Sequence, residues 1–445
     1  MLKKLEIKKL FGRFNYVITL NNSGITIITG PNGYGKSTIL NMINEFSNNN
    51  FSKLLNYNFY SFKLYFSDNS NLIIKKLQNT FKINDVELKY VEESLRAQRR
   101  RHYDLPPYMR PVSSHELIDL RNNERVMVDE DFLRRYNIIH GDEDVSDPFL
   151  FDILINLKYY EKNKKLLESF EKVLIDIKKA KEQIGRVNFI KEQRLLEERQ
   201  ISEDRRSYGE SKKEFIKVLK SSSNNLKQEM ERVMSKHSIL SNELDSTYIK
   251  RLFETHGKMS SEDFDKKLTN LKERQALLNK YELASIIRNT SNLKYVNEFE
   301  KDLYIFFDDN QKKYDIFEPL IQKITLYEQI INNKLTFKKL KISRSNGIQV
   351  VSDDNKDLEL SKLSSGEQEI LVLYYKLIFE SDVDLLMIDE PEISLHIAWQ
   401  KNILKDLKEI VKLNSKLNII IATHSPQIIS DNWDLQIDLG GQYNG

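Results

Sequence analysis

The sequence predicts an α/β fold, and three stretches predict it. The apolar, β-branched run Ile25-Thr26-Ile27-Ile28-Thr29 reads as a strand. It leads into Gly30-Pro31-Asn32-Gly33-Tyr34-Gly35-Lys36-Ser37-Thr38, which opens a helical segment from Ser37 to Ile43. A second apolar run, Asp384-Leu385-Leu386-Met387-Ile388-Asp389-Glu390, ends in two acids. A third, Leu417 to Ala422, ends in Thr423-His424-Ser425 and reads as the last strand.

Residues 1–90 read as one half of an α/β head, with Phe59 to Phe66 and Leu72-Ile73-Ile74 as further strands. Residues 91–150 turn polar, Arg-rich and Pro-containing, as expected of an insertion or lid. Residues 151–200 combine helical periodicity with a short strand, Val187-Asn188-Phe189-Ile190, returning to the head. Residues 291–445 supply the other half of the head, where the α/β pattern resumes from about 335 with a hairpin over Lys338 to Ser343 and Gly347 to Ser352.

Residues 201–290 are the most helical. Leu219, Leu226, Met230, Val233, His237, Leu240 and Leu244 follow heptad steps; after Thr255-His256-Gly257, Phe264, Leu268, Leu271, Gln275 and Leu278 resume them. Ser260 and Asp263 stand in the spacing of a capped helix start. The pattern predicts an antiparallel hairpin, a coiled coil of about 30 to 40 residues per arm. Ser223, His237 and Gln275 interrupt the stripe, which leaves two ordinary amphipathic helices as the alternative.

The loop after the first strand is a phosphate cradle. Backbone N–H groups around Asn32, Gly33 and Gly35 and the helix N-terminus would hold phosphate oxygens, the glycines allowing close approach. Lys36 would reach the β- and γ-phosphates of ATP, Ser37 would place its hydroxyl on Mg²⁺, and Thr38 would add phosphate contacts. Asp389 would hold the metal through its water shell and Glu390 would orient and deprotonate the attacking water. A neutral imidazole at His424 would donate to a γ-phosphate oxygen.

Composition narrows the class. The chain has 445 residues, 40% hydrophobic and 30% charged, with a net charge of +3, so charge is interspersed and argues little for a nucleic-acid or membrane partner. No cysteine is present, which excludes disulfides and thiolate metal sites and suits a reducing cytoplasm. No run approaches the roughly 20 apolar residues of a membrane span, and the N-terminus lacks a signal-peptide core. The expectation is a cytoplasmic protein.

Leu363-Ser364-Ser365-Gly366-Glu367-Gln368 opens another amphipathic helix, with Ser364 and Glu367 in capping-box spacing. With these residues the chain resembles an ABC-type ATPase head of the SMC and RecF class. The resemblance covers roughly 1–90 and 335–445, and about 325 residues separate cradle from signature, as in heads with an inserted helical arm. It implies that Ser364 and Gly366 contact the nucleotide of a second copy, two ATP molecules being sandwiched in a homodimer or a higher homo-oligomer. It also implies that Gln193 couples nucleotide to the arm, although a plain surface glutamine is an equal reading.

Phe11-Gly12-Arg13-Phe14, Asn32 to Lys36, and Thr423 to Ile429 followed by Trp433-Asp434-Leu435 are similar to the ATPase subunits of anti-phage systems such as Septu and PARIS. That resemblance implies control of a separate effector, a nuclease. About 21 residues follow His424, so the effector is expected on another chain. Two alternatives stand beside it: a chromosome- or repair-associated ATPase that binds DNA directly, and a nucleotide-gated scaffold with little turnover. Arg96, Arg99, Arg100, Arg101 and Arg110, with Tyr103 and Tyr108, form a local basic run suited to nucleic acid or an acidic partner surface, or to a solvated face.

Overall fold

A computed structural model describes residues 1–77, 80–84, 86–89, 109–113, 116–119, 124–127, 164–191, 210–254, 257–283, 293–380, 383–394 and 397–443. The chain divides into two compact units, one of Met1–Glu192, Ser381–Ile393 and Ser415–Gly445, the other of Gln193–Glu380 and Ser394–Asn414.

In chain order the structure begins with strands β1 (Leu2–Leu10), β2 (Phe14–Thr19) and β3 (Ile25–Thr29), then helices α1 (Lys36–Ser47) and α2 (Phe51–Asn56). Strands β4 (Ser61–Phe66), β5 (Asn71–Lys76), β6 (Thr80–Ile83) and β7 (Val86–Lys89) follow. Next come β8 (Met109–Ser113), β9 (Glu116–Asp119), β10 (Glu124–Met127), α3 (Lys164–Ile184) and β11 (Val187–Ile190). Helices α4 (Glu210–Glu254), α5 (Ser261–Lys280), α6 (Glu300–Asp315) and α7 (Glu318–Asn332) precede β12 (Lys338–Ser343), β13 (Gly347–Ser352) and β14 (Asp357–Leu358). The chain ends through α8 (Ser365–Phe379), β15 (Leu385–Asp389), α9 (Ile397–Gln400), α10 (Ile403–Leu413), β16 (Asn418–Ala422), α11 (Pro426–Ile429) and β17 (Gln436–Asp438).

The first unit carries a parallel sheet in the order β11-β15-β16-β3-β17. Every residue of β3 and β15 is buried, which is why these strands read as unbroken apolar runs instead of alternating ones. Because the strands run the same way, Thr29, Asp389, Ala422 and Asp438 all fall at one edge, with Asp389 paired to Ala422, Ala422 to Ile28, and Asp438 to Thr29. Loops leaving that edge share one neighbourhood. Helix α1 packs on β11, β15 and β16.

The antiparallel sheet β2-β1-β4-β5-β6-β7 completes this unit's core. Strand β2 alternates strictly, burying Phe14, Tyr16 and Ile18 while Asn15, Val17 and Thr19 face out. Helix α3 covers β4, β5 and β7, presenting Val173, Leu174, Ile177, Ala180 and Ile184 at helical spacing. Within the stretch expected to be an insertion or lid, β8, β9 and β10 form a small antiparallel sheet. Strand β16 is not the last: β17 follows and pairs with β3, its three residues Gln436-Ile437-Asp438 being too short for a periodic signal.

The second unit is mainly helical, with the sheet β12-β13-β14. Strands β12 and β13 occupy the spans expected of the hairpin. Its core gathers Leu219, Leu226 and Met230 of α4, Ile321, Ile324 and Tyr327 of α7, Leu371, Tyr374 and Ile378 of α8, and Leu404 and Leu407 of α10. The buried Lys334 ammonium lies 2.7 Å from Asp406, which also accepts the Tyr374 hydroxyl at 2.6 Å.

The helical arms are 45 residues (α4) and 20 residues (α5) long. Ser260 caps α5 by accepting the Asp263 N–H at 3.1 Å. A third helix joins them. Helix α6 packs on α4, where Arg251 forks onto Asp309 and Lys313 pairs with Asp245 at 3.0 Å, and on α5, where Arg274 lies 4.4 Å over the Tyr314 ring. His237 and Gln275, two of the interruptions in the heptad stripe, line a cavity of about 250 Å³ shared by the three helices. A heptad stripe specifies an apolar face but not which helix meets it, so α6 was not foreseeable from it.

Candidate functional site

The cradle begins where β3 ends. Gly33 and Gly35 adopt φ values of +84° and +89°, a region that L-residues with a Cβ avoid. At Gly35, which caps α1, an added Cβ would also sit 2.8 Å from Leu10 Cδ2. Helix α1 starts with neither a capping side chain nor an acid in its first turn, so its N-terminal N–H groups face the loop without an internal anion. Asn32 is exposed, Thr38 is half-buried, and the Tyr34 carbonyl accepts the Tyr16 hydroxyl at 2.8 Å while its ring rests 5.0 Å from Phe14.

Lys36 is buried. Its ammonium donates to the Gly30 carbonyl at 2.9 Å and stands 4.0 Å from Glu390. The Ser37 hydroxyl donates to Asp389 at 3.0 Å, so two residues 352 positions apart meet because α1 lies against the strand that delivers the acid.

Glu390 follows β15 with a φ of +46°. A non-glycine residue there costs on the order of 1–3 kcal/mol, and such strain gathers at functional sites. The Glu390 N–H donates to the Ala422 carbonyl at 2.8 Å, which helps hold the turn. His424 Nδ1 lies 3.4 Å from Glu390 and 3.2 Å from Glu392, with its ring half-exposed. Glu392 is buried and takes the Thr423 hydroxyl at 2.6 Å and the His424 main-chain N–H at 3.0 Å. The sequence alone gives Glu392 no role of its own; its signal is an acid two places beyond the pair, in Glu390-Pro391-Glu392, a segment similar to the one that joins the acid pair to the dimer-contact loop in ABC-type heads.

In the second unit, Ser364 caps α8 with a complete capping box. Its side chain accepts the Glu367 N–H at 3.3 Å, and Glu367 in turn accepts the Ser364 N–H at 2.8 Å and hydroxyl at 3.0 Å. Lys338 of β12, also missed, reaches both Glu367 oxygens at 2.8 and 2.9 Å. Burial works to raise the Glu367 pKa, but the Lys338 ammonium and the Ser364 donors outweigh it and hold the carboxyl below the ordinary glutamate range. The N–H and hydroxyl of Ser364, the residue expected to contact the nucleotide of a second copy, are therefore engaged within the chain. Gly366 has room for a Cβ, the nearest atom being the Trp399 ring at 3.7 Å. Buried Gln368 fastens the loop by donating to the Leu360 and Leu363 carbonyls at 2.9 and 3.2 Å.

Gln193, Arg96, Arg99, Arg100, Arg101, Tyr103 and Tyr108 lie outside the described residues, as does the side chain of Arg110. Among the described residues no helix is long and apolar enough to cross a membrane.

A glycine-lined loop between a buried parallel strand and an uncapped helix, with a lysine inside it and a serine–aspartate pair beside it, defines a P-loop nucleoside-triphosphatase head. The chain belongs to the AAA ATPase domain family, whose model matches residues 1–429.

A retron Ec83 probable ATPase of Escherichia coli is 32% identical over 104 residues, 21% of this chain and 19% of that protein. The spermidine/putrescine import ATP-binding protein PotA of Mycoplasma genitalium is 28% identical over 196 residues, 40% of this chain and 34% of that protein. The chain thus spans about a fifth and a third of those relatives. Among solved structures, a Smc head domain with an extended coiled coil bound to the C-terminal domain of ScpA, from Pyrococcus furiosus, aligns with 97% of this chain and 91% of its own, at 12% identity and a TM-score of 0.37. A SmcHead bound to the C-winged helix domain of ScpA aligns over the same shares at 14% identity and a TM-score of 0.36.

Proposed function

We propose that this ATPase binds Mg²⁺-ATP in the cradle, hydrolyses it with Glu390 as the base, and completes each pocket with Ser364 and Gly366 of a second copy. The observation that carries the reading is the meeting of Ser37 with Asp389 at 3.0 Å, beside a buried Lys36 that stands 4.0 Å from Glu390. A hydroxyl and a carboxylate so close are a hard-oxygen pair of the kind Mg²⁺ takes along with waters and phosphate oxygens. The ion, when bound, supplies positive charge against the triphosphate. Lys36 exchanges the Gly30 carbonyl for the β- and γ-phosphates, Thr38 adds a phosphate contact, and Glu390 aligns the attacking water and takes its proton.

Dimerisation is supported by the exposed Ser364 at the start of α8, whose capping carboxylate is charge-balanced by Lys338 so that an approaching phosphate meets no net negative charge. The resemblance to Septu and PARIS subunits, together with the likeness to a retron ATPase, supports control of a separate effector in phage defence, with a nuclease as the expected effector. The cysteine-free sequence suits the cytoplasm.

The test is Glu390→Gln, which keeps the cradle and removes the base. Light scattering of the full chain is expected to find a dimer with ATP and a smaller species without it, and wild-type turnover per chain is expected to fall on dilution through dissociation. A Glu390→Gln protein whose mass ignores ATP, or turnover per chain constant on dilution, refutes the shared pocket. Lys36→Ala serves as the control that cannot hold nucleotide.

A further inference from the structure

The segment that follows β17 runs alongside the cradle and touches it at three places. Leu439 is fully buried and donates its N–H to the Thr29 carbonyl at 2.9 Å, beside the point where β3 enters the loop. An added Cβ at Gly30, the first cradle residue, would sit 3.2 Å from Leu439 Cβ, and one at Gly440 would sit 3.4 Å from Pro31 Cδ. Asp438 accepts the Gly440 and Gly441 N–H groups at 2.9 and 3.1 Å as the chain turns. The Gln442 carboxamide then accepts the Val17 N–H at 2.8 Å and donates to the Val17 carbonyl at 3.0 Å. Strand β2 is an edge of its sheet among the described residues, so Gln442 supplies the two bonds that a further strand would make there. Tyr443 is the third contact: its ring lies 5.1 Å from Phe14 and 6.1 Å from Tyr34, both edge-on, while Phe14 lies 5.0 Å from Tyr34.

We propose that Gln442 and Tyr443 are positioning residues for nucleotide binding, which lock the Tyr34 ring and so hold the cradle in its triphosphate-accepting shape before a nucleotide arrives. This rests on the ATP-binding reading above. Tyr34 stands between Gly33 and Gly35, whose backbones can swivel more freely than any other residue's. A loop of that kind stays in one shape only if a side chain ties it to the body of the protein. Asn32 is exposed, whereas the Tyr34 ring is held by Phe14 and Tyr443 and its carbonyl by the Tyr16 hydroxyl. Gln442, bonded to β2, holds Tyr443 in place against the rings. A loop ordered in advance loses less entropy on binding, so affinity falls when the lock is removed.

Titration calorimetry of the full chain with ATP tests the lock. Tyr443→Ala is expected to weaken binding about tenfold, and Tyr443→Phe, which keeps the ring contacts, to bind like wild type. Gln442→Leu loses both Val17 bonds and is expected to weaken binding about threefold. In a Tyr34→Ala background, Tyr443→Ala adds no further loss, because it acts through that ring. Tyr443→Ala binding like wild type, Tyr443→Phe binding as weakly as Tyr443→Ala, or additive losses overturn the proposal.

Amide hydrogen exchange of wild type and Tyr443→Ala, both without nucleotide, reads the loop directly. Faster exchange confined to the cradle and the first turn of α1 supports the lock. Unchanged exchange there, or a rise spread evenly over the first unit, overturns it. If Tyr443→Ala shows no cooperative melt, Gln442→Leu carries both measurements with the same outcomes. A wild-type protein that binds no ATP refutes the nucleotide reading and the role in binding with it, while the exchange still decides whether the segment holds the loop.

Discussion

Replacing Lys338 by methionine tests the capping box of α8 most directly. The ammonium makes two bonds to Glu367, at 2.8 and 2.9 Å, and the lysine side chain is 25% exposed. A hydrogen bond to a charged group contributes about 1.5–3 kcal/mol, and partial exposure lets water replace part of it, so Lys338→Met should cost about 1–2 kcal/mol at neutral pH. The pH dependence has a definite sign. Glu367 titrates below the ordinary 4.5 in the folded chain, so its stabilisation is complete above the unfolded value and is lost as pH falls through the folded one. Urea unfolding of wild type and variant at neutral pH and in steps below 4.5 should therefore show a gap that narrows on acidification. Equal stability at neutral pH, or a gap that widens in acid, refutes the reasoning. ATP-dependent self-association should also weaken, because Glu367 then faces an incoming phosphate without its counter-charge.

Gly35→Ala should lower stability by about 1–2 kcal/mol for the left-handed backbone alone, and should weaken ATP binding as Leu10 and the loop shift; thermal melts and nucleotide titration check both. Asp406→Ala leaves the Lys334 ammonium, 5% exposed, without its carboxylate and should cost about 3 kcal/mol or more, whereas Lys334→Met with Asp406→Leu should cost far less, both read by urea unfolding.

The parallel core and its cradle were legible because their signals are local: an apolar run, a glycine loop and a helix within 19 residues, Ile25 to Ile43. The hairpin of β12 and β13 was legible for the same reason, as was the Ser260 cap. Ser37 and Asp389 were paired on chemistry, and their meeting at 3.0 Å follows from α1 lying on the sheet. The pairings of Lys338 with Glu367 and of Glu392 with Thr423 were not legible because each acts across the fold, over 29 and 31 residues, where no periodicity reaches. Helix α6 beside the arms and the three-residue β17 escaped for want of any distinctive spacing.

Helix α4 has a mechanical meaning. At 1.5 Å per residue its 45 residues span about 68 Å, anchored near one end by Leu219, Leu226 and Met230 and carrying exposed Ile249 and Phe253 near the other. From Met230 to Glu254 the helix runs about 36 Å, so a tilt of about 5° about the anchored part moves the far tip by roughly 3 Å. Because α4 packs on α8, a tilt imposed there would be carried along the helix toward the exposed Ile249 and Phe253.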